Sequence, residues 1–384
     1  MFKGYKSPWM TEELQIFEEH VGKFFKQAFV PHAERWNKQG MADRDAWNIA
    51  GENGLLCASI PEQYGGAGGS YLHETVIADQ EIKTGAASFG IGVHCLVAHY
   101  ILSYGSEEQK MRWLPKMATG ELVTAICMTE PGTGSDLQAV RTTAVRDGDH
   151  YVLNGSKTFI TNGQHANLLC VVTKTDPDER ARGISLLMVE TEDEGSKGVT
   201  RGRNLEKLGL HSHDTSELFF EDVRVPVENL LGDNEGMGFF QLMDQLPWER
   251  LYIALAAVSA MEYALDITLK YVKERKAFGK TLMGFQNTRF KMAEAKTETT
   301  IARVFVDQLL LELMRGELTV ERAAMAKWWT TQKQCEIADE CLQLHGGYGY
   351  MMEYPIARIF ADSRVQKIYG GSNEIMKELV ARFL

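Results

Sequence analysis

The sequence predicts an α+β fold with three consecutive parts: an N-terminal α domain, a middle antiparallel β domain and a C-terminal helical domain. Apolar residues recur at helical spacing near both ends of the chain, whereas short alternating segments separated by turn residues fill the middle. A chain of 384 residues is also longer than a typical domain with a single hydrophobic core. We place the domains at residues 1–120, 121–228 and 229–384.

The N-terminal domain is predicted from periodicity and from helix-start signals. Residues 12–29 carry apolar side chains three and four positions apart, and Thr11 before them is suited to cap a helix. Ser106 and Gln109 have the spacing of a capping box at the start of a later helix. Helices therefore dominate this part of the chain.

The middle and C-terminal domains differ in texture. The dipeptide Asn154–Gly155 predicts a β-hairpin turn, and strand-like segments follow it: LLCVVTKT, GISLLMVE and SELFFEDVRVP. From about residue 235 the runs are long and helical, and residues 249–272 are apolar nearly all round. We therefore predict a C-terminal four-helix bundle.

The composition excludes some classes of partner. A formal net charge of −11 argues against nucleic-acid binding, which requires a basic surface. The first twenty residues contain no apolar segment of the kind found in signal peptides, and we expect no run that could span a membrane. The six scattered cysteines include no CxxC pair and suggest buried thiols in a reducing compartment. We expect a cytoplasmic protein.

Three stretches could carry chemistry. Residues 126–136, ICMTEPGTGSD, form a loop rich in backbone N–H groups and short hydroxyls, suited to phosphate or a flat heterocycle, although an ordinary turn explains it equally well. Arg275 and Lys276 end one predicted helix, where cations are common for dipole reasons alone. His345 precedes two glycines, and no His, Cys and carboxylate cluster has metal-ligand spacing, so we predict no metal.

Taken together, these stretches resemble the acyl-CoA dehydrogenase family. The motifs MTEPGTGSD, FITNG, ERKAFGK followed by FQ, QLHGGYGY and YGGSNEIM occur in that family's order and spacing along essentially the whole chain. The similarity is greatest to its long-chain branch. The resemblance implies the three-domain acyl-CoA dehydrogenase fold, FAD as cofactor, an acyl-CoA substrate, a homotetramer and electron-transfer flavoprotein as electron acceptor.

The resemblance also implies roles for individual residues. Expected FAD contacts are Ile126, Cys127, Met128, Thr129, Gly134, Ser135, Phe159, Ile160, Thr161, Ser372, Asn373 and Glu374. The FAD of a neighbouring subunit would be reached by Arg275, Gln286, Gln343, Leu344, His345, Gly346 and Gly347. Expected substrate contacts are Ser135, Phe240, Arg250, Gly370 and Gly371. Phe240 stands where the long-chain relatives have Tyr, so its role lacks a hydroxyl contact.

The position of the catalytic base is the main question that the sequence raises. Many family members carry a glutamate directly after the Tyr of the last motif, but here that position is Gly370. Glu249 lies on a largely apolar helix face, where burial should raise its pKa and suit a general base. A solvated glutamate in the first turn of a helix is the alternative. The long-chain and isovaleryl-CoA branches pair a glutamate at this helical position with glycine or alanine at the other, which favours Glu249.

Other functions stay open at this stage. A branched-chain or terpenoid acyl-CoA is an alternative substrate, because the base on the helix occurs in both groups. A catalytically inactive flavoprotein scaffold would also explain a missing glutamate at position 370, although its FAD motifs would be expected to decay. An oxidase on the same fold is a third alternative.

Overall fold

The computed structural model describes residues 5–86, 89–192 and 197–384. Its N-terminal part is helical, as predicted, and Thr11 caps the first helix through a bond from the Leu14 N–H. Ser106 and Gln109 form the predicted capping box. The helices are α1 (Glu12–Phe24), α2 (Ala33–Gln39), α3 (Asp45–Glu52), α4 (Tyr71–Lys83), α5 (Ile91–Tyr104) and α6 (Glu107–Ala118).

A seven-stranded sheet follows. Its strands are β1 (Thr124–Cys127), β2 (Thr143–Asp147), β3 (His150–Thr161), β4 (Leu168–Lys174), β5 (Ile184–Glu190), β6 (Val199–Asn204) and β7 (Thr215–Pro226). The order is β1-β4-β2-β3-β7-β6, and β5, which is not on this path, also pairs with β4. The predicted antiparallel pairing holds except that β1 and β2 run parallel to β4. The long connection between β1 and β4 lets the chain return in the same direction.

The hairpin turn lies elsewhere than predicted. Strands β2 and β3 are joined at Gly148–Asp149, where Gly148 has φ +64°. Asn154–Gly155 instead lies inside β3, at an irregularity in its pairing with β7. The Asn154 side chain bonds to Asp222 across that irregularity. The prediction of a hairpin turn at this dipeptide was therefore wrong, because glycine with a positive φ occurs at β-bulges as well as at turns.

The C-terminal part consists of three long helices and two short ones. They are α7 (Gly238–Glu274), α8 (Gln286–Met314), α9 (Val320–His345), α10 (Pro355–Ser363) and α11 (Asn373–Ala381), with a two-stranded ribbon of β8 (Lys276–Ala277) and β9 (Lys280–Thr281) after α7. Both short helices pack on α9. The predicted domain boundaries at residues 120 and 228 stay predictions.

Helix α7 corrects one expectation. By length and composition it could cross a membrane, which we had not expected of any segment. However, 72% of its most apolar window is buried within the protein. It packs against α4, α5, α8 and α9 in a core shared by the N- and C-terminal helices, so its apolar surface is covered by protein. Five of the six cysteines are likewise buried, and Cys335 is half-buried.

The continuous apolar run LLCVV lies in strand β4, which is buried on both faces of the sheet. Leu168, Cys170 and Val172 face α5 and α6, whereas Leu169 and Val171 face the core on the other side of the sheet. All seven residues of β4 are buried, so both faces are apolar. This strand places the sheet directly beside the helices that hold Glu249.

Candidate active site

Glu249 is buried about three turns into α7, and its carboxylate has one hydrogen bond from a tyrosine. The residue is 8% exposed. The Tyr100 hydroxyl, on α5, donates to Glu249 Oε1 over 2.6 Å. Burial raises the pKa of Glu249, and the Tyr100 bond and the nearby Arg250 and His99 oppose that rise. The side chain is thus a buried carboxyl that holds a proton more readily than an ordinary glutamate, rather than a solvated helix-start residue.

The Gly370–Gly371 turn lies against α7, next to Glu249. Arg250 Nε donates to the Gly370 carbonyl over 3.4 Å. Gly370 has φ +65°, and a Cβ added there would overlap Cδ1 of Ile253, one helical turn after Glu249. The resemblance explained Gly370 by the space that the substrate needs. The structure adds two further reasons for a glycine at this position: its positive φ and its close contact with α7.

The structure adds Lys327, which sequence reasoning missed. This α9 side chain is fully buried, and its Nζ donates to the Gly371 carbonyl over 2.7 Å and to Asn373 Oδ1 over 3.1 Å. Burial, with Arg250 nearby, lowers the pKa of Lys327 to about 7. Lys327 and Arg250 together anchor consecutive carbonyls of the turn. The signal in the sequence was a lysine between Ala326 and Trp328 in an otherwise apolar helical run.

Replacement of Gly370 by Ala should lower stability and disturb the site. The left-handed backbone costs an alanine about 1–2 kcal/mol, and overlap with Ile253 adds to it. Gly316 is the matched control, since it has φ +70° and an added Cβ there meets no atom within 4 Å. We expect a larger fall in the unfolding midpoint for Gly370→Ala than for Gly316→Ala. Adding Ile253→Val, which removes Cδ1, should recover the difference; no recovery would contradict this explanation.

The loop after β1 meets the end of β3. The Thr158 N–H donates to the Thr129 carbonyl over 2.9 Å. Beneath the loop, Lys157 Nζ binds Glu130 Oε1 over 2.8 Å and the Met128 carbonyl over 3.1 Å, with both charged side chains buried. Glu130 also accepts bonds from the backbone N–H groups of residues 141 and 142. Two predicted FAD-contacting segments, 126–135 and 159–161, are thus brought together.

Replacing Lys157 by Met should therefore loosen this loop. The change leaves the Glu130 carboxylate buried without its cation, which typically costs about 3–5 kcal/mol. We expect a lower unfolding temperature and faster loss of flavin on dilution. The double variant Lys157→Met with Glu130→Gln should regain part of the lost stability, because no unpaired charge remains. Equal stability of the two variants would show that the ion pair is not what organises the loop.

The surface of this loop can accommodate a flat ring. Phe159 is 68% exposed although aromatic, and its φ of +60° is rare for such a residue. A Cβ added at Gly132 or Gly134 would meet no atom within 4 Å, so the space above these glycines is open. Cys127 and Ile160, by contrast, turn their side chains into the sheet core, which leaves only their backbone to face a ligand.

A second group of predicted residues lies at the other end of α7. Tyr271 stacks on His345 with ring centroids 4.3 Å apart, and its hydroxyl donates to the His345 carbonyl. The Arg275 guanidinium lies 5.6 Å from the Tyr348 ring centre. Since Arg275 comes 26 positions after Glu249, the two residues are about 39 Å apart along the axis of α7. These residues cannot complete the Glu249 site within one chain.

The remaining predicted residues are distributed as follows. Gln286 starts α8 and is exposed, as are Gly346 and Gly347, where an added Cβ meets no atom within 4 Å. Ser372 caps α11, and the buried Asn373 amide bonds to Trp328 and Thr331 of α9. Gln343 and Glu374 are exposed.

Phe240 is not brought to Glu249. It is 43% exposed and lies two and a half helical turns earlier, on the opposite side of a straight helix.

Within the described parts of the chain, no group of three His, Cys, Asp or Glu side chains could hold a metal ion.

Comparison with known proteins identifies the family. Acyl-CoA dehydrogenase N-terminal, middle and C-terminal domain families match residues 11–121, 125–223 and 236–384. This chain belongs to the acyl-CoA dehydrogenase family. It is therefore a flavoprotein oxidoreductase with the predicted three-part fold, and FAD is the cofactor of this family. The open, Phe159-flanked loop fits such a ring.

Individual acyl-CoA dehydrogenases show how close the similarity is. The long-chain specific mitochondrial enzyme of Sus scrofa is 48% identical over 97% of this chain and 86% of its own length. The isovaleryl-CoA dehydrogenase of Solanum tuberosum is 35% identical over 100% of this chain and 93% of its own. A crystal structure of an acyl-CoA dehydrogenase from Geobacillus kaustophilus superposes with a TM-score of 0.95 at 50% identity, covering 98% and 99% of the two chains.

Proposed function

We propose that this protein dehydrogenates a fatty acyl-CoA to the trans-2-enoyl-CoA, with Glu249 as the general base. The observation that carries the proposal is a buried carboxyl of raised pKa beside a Gly370 that has no side chain of its own. Such a carboxyl can remove the α-proton of a thioester and retain it. FAD, when bound, supplies the acceptor for the β-hydrogen, which leaves as hydride to flavin N5.

Other residues of the chain would orient the reacting thioester. Gly370 and Gly371 would form one wall of its binding site, held in place by Arg250 and Lys327. Ser135 would contact the CoA portion from the opposite loop, and Phe240 a more distant part of the substrate. The burial of Glu249 against α5 and β4 would exclude water from the base, which preserves its raised pKa.

FAD would be held by residues from two copies of the chain. Residues 126–135 and 159–161 would bind the isoalloxazine end, and Ser372, Asn373 and Glu374 would lie near the rest of the cofactor. Because Asn373 is used within its own fold, its contribution would come through the backbone. The group at Arg275, Gln286 and residues 343–347, about 39 Å from Glu249 along α7, would serve the FAD of a neighbouring copy. This division supports a homotetramer built from dimers.

A straight fatty acyl chain is the proposed substrate, and a branched chain such as isovaleryl is the second candidate. The 48% identity to a long-chain enzyme favours the first, and the isovaleryl enzyme at 35% keeps the second open. Electron-transfer flavoprotein is the proposed electron acceptor. Cytoplasmic localisation is likewise a proposal, compatible with the free cysteines, and the relatives include mitochondrial and bacterial proteins.

Purified protein tests this proposal directly. We expect a flavin absorption spectrum and reduction of an artificial electron acceptor with straight-chain acyl-CoAs of graded length, with isovaleryl-CoA as the branched comparison. A flavin spectrum without turnover of any thioester would favour an inactive scaffold. Rapid oxygen consumption without an added acceptor would favour an oxidase.

A further inference from the structure

Helices α5 and α7 are joined by two tyrosine–carboxylate bonds. Tyr100 donates to Glu249 over 2.6 Å, and one turn further along α5 Tyr104 donates to Asp244 Oδ2 over 2.5 Å. The two helices run antiparallel here. The first pair is buried, whereas Asp244 is exposed. The same chemical contact therefore occurs once inside the candidate site and once at its solvent edge.

The two oxygens of the Glu249 carboxylate differ. Oε1 accepts the Tyr100 hydroxyl, and no described residue donates to Oε2. Oε2 is also not among the described side-chain atoms that are both fully enclosed and unpartnered. It therefore keeps some accessible surface within this buried site, whereas Oε1 is occupied by the tyrosine hydroxyl. A carboxylate held in this way leaves one defined oxygen, Oε2, available to a ligand.

We propose that Tyr100 is a positioning residue for the base: its hydroxyl holds Oε1, so that Oε2 is the atom that takes the substrate's α-proton. This inference rests on the proposed role of Glu249. The proton moves from the α-carbon to Oε2, while the Tyr100 proton stays on its own oxygen. Burial and the neighbouring Glu249 charge raise the pKa of Tyr100 well above its usual value, so the hydroxyl remains a donor over the working pH range.

The bond should also set the pH at which the base becomes active. A hydrogen bond to the charged carboxylate favours that form, so removing the donor raises the pKa of Glu249. The other groups facing Glu249 are Arg250 on α7, His99 on α5 with its partner Glu74 on α4, and the thiol of Cys170 on β4. Burial raises the pKa of Cys170, so that thiol stays neutral.

The test is Tyr100→Phe, with Tyr104→Phe as the matched control on the same helix. In the holoenzyme we expect the acidic limb of the pH profile of kcat/KM to lie about one to two pH units higher in Tyr100→Phe. The reason is that a hydrogen bond to a charged group stabilises it by a free energy that corresponds to a pKa change of this size. Its kcat should fall, with little change in KM. Tyr104→Phe should leave the limb in place. An unmoved limb in Tyr100→Phe, or an equal shift in both variants, overturns the inference.

A stability measurement separates this inference from the proposed function. The Tyr100 hydroxyl stabilises the ionised form of the Glu249 carboxylate, and that form becomes more populated as pH rises. The decrease in unfolding temperature caused by Tyr100→Phe should therefore grow with pH. In a Glu249→Gln background that growth should vanish. If it persists there, a group other than Glu249 is responsible and the inference is overturned. If Glu249→Gln itself retains turnover, the base assignment fails, whatever Tyr100→Phe does.

Discussion

Glu249→Gln is expected to lower kcat by about 10²–10⁴-fold while the protein still folds and binds flavin. Glutamine keeps the size of the side chain and can still accept the Tyr100 hydroxyl, but its amide cannot take a proton. The loss should be seen in the chemical step, as slow flavin reduction in single-turnover mixing with an acyl-CoA. KM should change little, because the carboxylate is expected to act on the transition state.

Asp244→Asn provides the matched control for this experiment. It removes a carboxylate of the same helix that also accepts a tyrosine hydroxyl, but at an exposed position. Its turnover should stay close to that of the unaltered protein. Glu249→Gln turnover at the rate of the Asp244→Asn control would exclude Glu249 as the base. The search would then return to other carboxylates or to the scaffold alternative.

Arg303→Met is expected to cause a large loss of stability, about 3–5 kcal/mol. Arg303 on α8 binds both oxygens of Glu262 over 2.7 and 2.9 Å and Asp79 over 2.9 Å, and all three side chains are buried. Lys83 binds the same two carboxylates, and Asp307 lies nearby. Losing Arg303 leaves three buried carboxylates with one cation across the junction of α4, α7 and α8.

Arg322→Met tests whether burial is the cause. Arg322 also makes a two-point contact with a glutamate, Glu312, yet its side chain is 39% exposed. The Glu312 side chain is only 12% exposed, so the pair is partly buried, and its loss should cost less than that of the fully buried Arg303. The midpoints of urea unfolding would be compared, and adding Glu262→Gln to Arg303→Met should regain some stability. Equal losses in Arg303→Met and Arg322→Met would mean that the buried network adds nothing beyond a pair whose arginine reaches solvent.

The sequence predicted some features of this protein well because they depend on local pattern. Capping at Thr11 and at Ser106–Gln109 follows from bonds within one turn, and the helical and strand periods follow from side-chain direction. The hairpin prediction at Asn154–Gly155 was wrong for the complementary reason. A glycine's positive φ does not say whether the chain turns or bulges, and the pairing of β3 with β7 made that choice.

The missed residues share one property: their partners are distant in sequence. Tyr100 and Glu249 are 149 positions apart, and Lys327 and Gly371 are 44 apart. Neither Tyr100 nor Lys327 belongs to a motif. A single sequence offers no sign that a buried helix face will meet a particular carboxylate or carbonyl.

The sequence by itself determined the family, the order of helical and strand regions, and the contrast between Glu249 and Gly370, since motifs and periodicity are properties of the chain. Only the tertiary structure decided that Glu249 is buried, that one of its oxygens is held by Tyr100, and that Gly370 is confined by Ile253. The physical reason is that burial and hydrogen bonding across helices arise from packing α5, α7 and the Gly370–Gly371 turn together, and packing is a property of the folded whole.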